Sequence, residues 1–90
     1  MRLKAIDEAG RPIRIGDWVR LMCLPPGVSR SPAATRRAFR KALGLTFRIE
    51  AFNRYGLAEL DLTRKVAKLE SIWVEPDCLR RTRRARRRAA

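Results

Sequence analysis

Arginine is the residue whose number and placement could do chemistry in this chain. Ninety residues carry 22 Lys and Arg against nine Asp and Glu, a formal net charge of +13. Seven of the arginines (Arg80, Arg81, Arg83, Arg84, Arg86, Arg87 and Arg88) crowd into the last eleven positions, and all nine acids precede them. A guanidinium is permanently charged and offers a rigid fork of donors that matches a phosphate. Each phosphate it neutralises releases counterions, which is a source of affinity in itself. The chemistry to expect is therefore capture of a polyanion: nucleic acid, an acidic protein surface or an anionic membrane face.

A second group of cations lies inside the chain. Arg36 and Arg40 stand one helical turn apart, as do Arg37 and Lys41. Arg48 and Arg54 lie on a segment that reads as a hairpin, and Tyr55 at its tip is the aromatic best placed to stack on a base. With the terminal arginines these make up the expected nucleic-acid-binding residues. Each has a plainer reading beside it: a solvated helix face, a frayed end, a loop-anchoring tyrosine. Trp18 and Trp73 read first as core or helix-covered side chains.

Catalysis has little to work with. The chain contains no histidine, and its acids (Asp7, Glu8, Asp17, Glu50, Glu59, Asp61, Glu70, Glu75 and Asp77) are scattered over turns and outward strand positions. Asp17, after Gly16, reads as a turn former. The five glycines are isolated, so no phosphate-cradling loop is present. Cys23 and Cys78 have no local partner to activate them, and two thiols without histidine do not make a zinc site. They read as reduced core residues, with a disulfide as the alternative in an oxidising compartment. The expectation is a non-enzyme with no cofactor, no metal and no small-molecule substrate. No apolar run approaches the roughly 20 residues that cross a bilayer, and charges interrupt the first eight positions where a signal peptide would be apolar. A cytoplasmic protein, bacterial in style, is expected.

The elements that must position these side chains follow from periodicity. Trp18 to Leu24 alternates, with Val19, Leu21 and Cys23 on one face and Trp18, Arg20, Met22 and Leu24 on the other. Pro25 and Pro26 stop it. Ser31 reads as an N-cap and Pro32 as the first helical residue. One amphipathic helix over about 32–43 follows, ending at Gly44 and docked through Phe39 and Leu43, with the Trp18 and Met22 face as its seat. Thr46 to Phe52 alternates with Phe47, Ile49 and Ala51 inward. A turn at 53–56 returns the chain through Leu57 to Leu62, giving an antiparallel hairpin. Residues 63–70 read as a helical turn or a wide loop. Ser71 to Val74 is a strand, and Cys78 to Arg81 runs extended after a proline kink.

Ile15-Gly16-Asp17-Trp18-Val19-Arg20-Leu21 resembles the hydrophobic-Gly-Asp strand of SH3, KOW and related small barrels. Ile72-Trp73-Val74-Glu75-Pro76-Asp77-Cys78-Leu79 resembles their strand, single 3₁₀ turn and closing strand. The resemblance spans roughly residues 3–82. It implies a mainly β protein: a small SH3-like antiparallel barrel over residues 1–79 with one inserted helix, then an Arg-rich flexible tail over 80–90. The aromatic grip of polyproline-binding SH3 domains is replaced here by Lys4-Ala5-Ile6-Asp7-Glu8 and Cys78, which argues against polyproline ligands. KOW-type barrels bind RNA or ribosomal protein, in keeping with the charge.

The leading expectation is a non-catalytic module that binds nucleic acid, RNA ahead of DNA, through phosphate contacts. The alternative is a protein-interaction module that docks an acidic partner or uses an apolar patch near Trp18, Met22 and Trp73. Attachment to an anionic membrane surface ranks below both.

Overall fold

A computed structural model describes residues 2–62 and 71–83. The expected turn or loop at 63–70, and Arg84, Arg86, Arg87 and Arg88, lie outside the described residues. Five strands form one antiparallel sheet: β1 (Trp18–Leu21), β2 (Thr46–Phe52), β3 (Ala58–Asp61), β4 (Ser71–Val74) and β5 (Leu79–Arg81). Their order across the sheet is β4-β3-β2-β1-β5. A 3₁₀ turn at Pro26–Arg30 and the helix α1 (Ala33–Ala42) are inserted between β1 and β2, and a second 3₁₀ turn at Pro76–Cys78 leads into β5. The protein is thus mainly β, and the sheet does not close on itself.

The inward residues of the alternating strands make the core: Val19 and Leu21 from β1, Phe47 and Ile49 from β2, Ala58 and Leu60 from β3, Ile72 and Val74 from β4, Leu79 from β5. Burial of such side chains supplies most of the stability a domain this small has. The expected alternation of β2 fails after Ile49. Ile49 pairs with Leu60 but Ala51 pairs with Glu59, so Glu50 is an extra residue in the ladder. Such a bulge reverses the inward and outward positions beyond it. Phe52, opposite Ala58, then packs against the core in place of Ala51.

The helix also departs from expectation at both ends. Pro32 caps it with extended backbone and no side-chain bond, while Ser31 sends its hydroxyl back to the Gly27 carbonyl at 3.4 Å. Ser31 closes the preceding 3₁₀ turn and is not the cap. Ala38, Phe39 and Ala42 face the core, but Leu43 is 44% exposed and does not help dock the helix. β1 ends at Leu21, three residues before the proline pair: Met22, Cys23 and Leu24 are exposed, so Cys23 leaves the buried face assigned to it.

Candidate functional site

Arg80 and Arg81 belong to β5, not to a tail, and their placement depends on Asp7. This carboxylate is only 4% exposed. Its Oδ1 accepts the backbone N–H groups of Ala9 and Arg11, both at 2.9 Å. Its Oδ2 accepts the N–H of Arg81 at 2.7 Å and faces the Arg11 guanidinium at 3.5 Å. Burial by itself raises the Asp7 pKa. The N–H donations from Arg81, Arg11 and Ala9, with the Arg11 charge, outweigh it, so Asp7 titrates below the ordinary carboxylate value. Glu8 holds the same join, donating its N–H to the Leu79 carbonyl at 2.8 Å and pairing its carboxylate with Arg80. The loop before β1 is thereby clamped to the last strand.

In an antiparallel pair, residues directly opposite share a face. Trp18 lies opposite Arg48, and Arg20 lies opposite Thr46 on one side and Arg80 on the other. Val19, Leu21, Phe47 and Leu79 fill the buried face of these strands, so Trp18, Arg20, Arg48 and Arg80 share the outer one. Arg20 also donates to the Gly44 carbonyl at 3.0 Å, which holds its guanidinium near the helix end. Gly16, Asp17, Trp18, Arg48, Arg81 and Thr82 line a hollow of about 480 Å³ at one end of this face. Asp17 is a turn former as read: its Oδ2 accepts the Arg14 N–H and its own N–H goes to the Arg14 carbonyl.

The other expected binding residues fall into two groups. On α1, Arg37, Arg40 and Lys41 are exposed, and none takes part in the Asp7–Arg11 or Glu8–Arg80 pairs. Arg36 is half-buried and spends one donor on the Ser31 carbonyl at 2.6 Å, so it serves the turn before the helix. At the hairpin tip Tyr55 is 53% exposed. The Arg54 guanidinium lies 5.1 Å from its ring centroid and donates to its hydroxyl at 3.1 Å, so one ring surface already carries a cation. The Asn53 side chain closes this turn by accepting the N–H groups of Tyr55 and Leu57, both at 2.9 Å. Arg83 is exposed just past β5.

Sequence reasoning missed Trp18, Arg20 and Thr82 as parts of this surface. Trp18 and Arg20 alternate outward on β1, a signal that was legible, but assigning the helix to that face hid it. Nothing local in the sequence marks Thr82, whose N–H and hydroxyl both reach the Trp18 carbonyl, at 2.8 and 3.3 Å.

A separate groove of about 560 Å³ runs between the inserted segment and β4, with Pro25, Val28, Phe39, Leu57, Ile72 and Trp73 among its lining residues. Trp73 is 41% exposed and Met22 37%. Among the described residues no group of three or more Cys, Asp or Glu could hold a metal ion, and no helix is long and apolar enough to cross a membrane. Cys78 is buried and Cys23 exposed, and both are free thiols. Burial first, and then the hydrogen bond its own S–H donates to the neighbouring Cys23 sulfur, push the Cys78 thiol pKa far up, so it stays protonated.

No protein-family model, curated protein or solved structure matches this chain.

Proposed function

We propose that this is a non-catalytic nucleic-acid-binding module, RNA favoured over DNA, that grips phosphates through its cationic sheet face and helix. The observation that carries the reading is the row of Arg20, Arg48 and Arg80 beside Trp18 on one outer face, reinforced by Arg37, Arg40 and Lys41 on α1. Phosphate contacts of this kind position a nucleic acid without reading its bases. The finer reading of the fold is an SH3-like small barrel. Its support is the strand order, the hairpin-like loop before β1 and the 3₁₀ turn before the last strand. The two free thiols fit the reducing cytoplasm. Fluorescence polarisation with labelled RNA and DNA oligonucleotides tests the proposal: tight binding at low salt that weakens steeply as salt rises supports it, and no binding at low salt sinks it.

The exposure of Trp73 at the rim of the apolar groove favours a second reading, docking of an acidic protein partner. A partner that stays bound after nuclease digestion and is released by Trp73→Ala would support it. Loss of all capture on digestion would leave the first reading alone.

A further inference from the structure

We infer that Cys23 and Cys78 form a dithiol site that peroxide converts, reversibly, into an internal disulfide. The inference goes beyond the nucleic-acid reading and does not depend on it. The chain has only two cysteines, far apart in sequence, and the fold brings them together. Leu21 on β1 lies opposite Leu79 on β5. The pairing runs one step further, where the Met22 N–H donates to the Cys78 carbonyl at 2.7 Å. The chain bends at the next residue, Cys23. The Cys78 S–H donates to the Cys23 sulfur, so the two side chains are already in contact. Cys78 is held in place by its turn as well, since its N–H goes to the Glu75 carbonyl at 3.0 Å. A disulfide demands such proximity of the two side chains, and here little backbone movement is needed to meet it.

The two sulfurs have different access, and that sets the order of events. Cys23 is exposed, whereas Cys78 is only 3% exposed. The oxidant therefore meets Cys23 first. Its thiolate attacks one oxygen of hydrogen peroxide; the S–O bond forms, the O–O bond breaks and hydroxide leaves. The Cys78 sulfur then attacks the sulfenic acid. The S–S bond forms, the S–O bond breaks, and the departing hydroxide takes the Cys78 proton and leaves as water. Two electrons pass from the thiols to the peroxide. A thiol reductant reverses the link, which suits a protein whose cysteines are otherwise free.

The bond would join two parts of the molecule that carry cations. Cys23 opens the inserted segment that holds α1, and Cys78 ends the 3₁₀ turn that leads into β5. Closing so long a loop removes conformational freedom from the unfolded chain, so the oxidised protein should be the more stable form.

The reduced full chain is treated with hydrogen peroxide, and its intact mass, non-reducing peptide map and thermal midpoint are followed. The expected product is a monomer lighter by two hydrogens, with the Cys23 and Cys78 peptides linked. Its midpoint should be higher by about 10 °C or more, and dithiothreitol should restore the starting mass and midpoint. Cys23→Ser should resist oxidation, because the remaining thiol is buried. Cys78→Ala should stop at the sulfenic acid, trapped by dimedone on Cys23. Wild-type protein that gains oxygen without an internal link, or that dimerises through Cys23, overturns the inference. So does a link that lowers the midpoint, since it would then form only by distorting the fold.

Discussion

The Asp7 carboxylate accepts the backbone N–H of Arg81 at 2.7 Å across 74 positions of sequence. This one bond, with those to Ala9 and Arg11, fixes the loop before β1 against the strand that carries two of the cations. Asp7→Asn keeps the shape but turns an acceptor into a donor facing N–H groups. It should cost about 2 kcal/mol in urea unfolding.

Acidification tests the same residue. The folded-state pKa of Asp7 is depressed, so its stabilisation is fully present above the unfolded value of about 3.9 and fades as pH falls through the folded one. Denaturant midpoints of the wild-type protein should therefore fall below about pH 4, and those of Asp7→Asn should be flatter there.

Gly56 and Gly10 both adopt positive φ, 87° and 83°. A Cβ on Gly56 would stand 2.5 Å from the Leu3 carbonyl oxygen, whereas one on Gly10 would meet nothing within 4 Å. Gly10→Ala should cost about 1 kcal/mol for conformation alone. Gly56→Ala should cost about 3 kcal/mol, since the amino-terminal segment must also move. Paired thermal melts read the difference.

The two thiols should separate cleanly in alkylation. Cys23 is exposed, while Cys78 is buried and held protonated. Brief treatment with maleimide should add one label to the native protein, on Cys23, and two after denaturation, read by mass spectrometry.

Much of the frame was legible because it is written in period-two alternation. Val19 and Leu21, Phe47 and Ile49, and Ala58 and Leu60 all point inward as their spacing requires. The errors fell where tertiary geometry overrides the local pattern. The Glu50 bulge depends on how β2 pairs with β3, which the β2 sequence alone does not encode. The exposure of Leu43 depends on the helix turning Ala38, Phe39 and Ala42 toward the core. The helix cations were found by their spacing. The hollow beside Trp18 joins residues near 17, 48 and 82, and no window along the chain holds them together.

Arg36 and Arg37 are neighbours with different jobs. Arg36→Gln gives up the bond to the Ser31 carbonyl and should lower stability by about 1 kcal/mol with little effect on binding. Arg37→Gln should leave the melting temperature unchanged and weaken RNA binding. Melts and polarisation on the two variants make the contrast.

The central claim is that exposed cations on the sheet face and helix contact phosphates, and the salt dependence of affinity measures this most directly. The dissociation constant for a single-stranded RNA is determined over a range of salt for the full chain and for Arg37→Gln combined with Arg48→Gln. A log–log plot should be linear, and losing two contacts should reduce its slope by about 1.4. An affinity indifferent to salt, or a slope identical in the two proteins, would contradict the account.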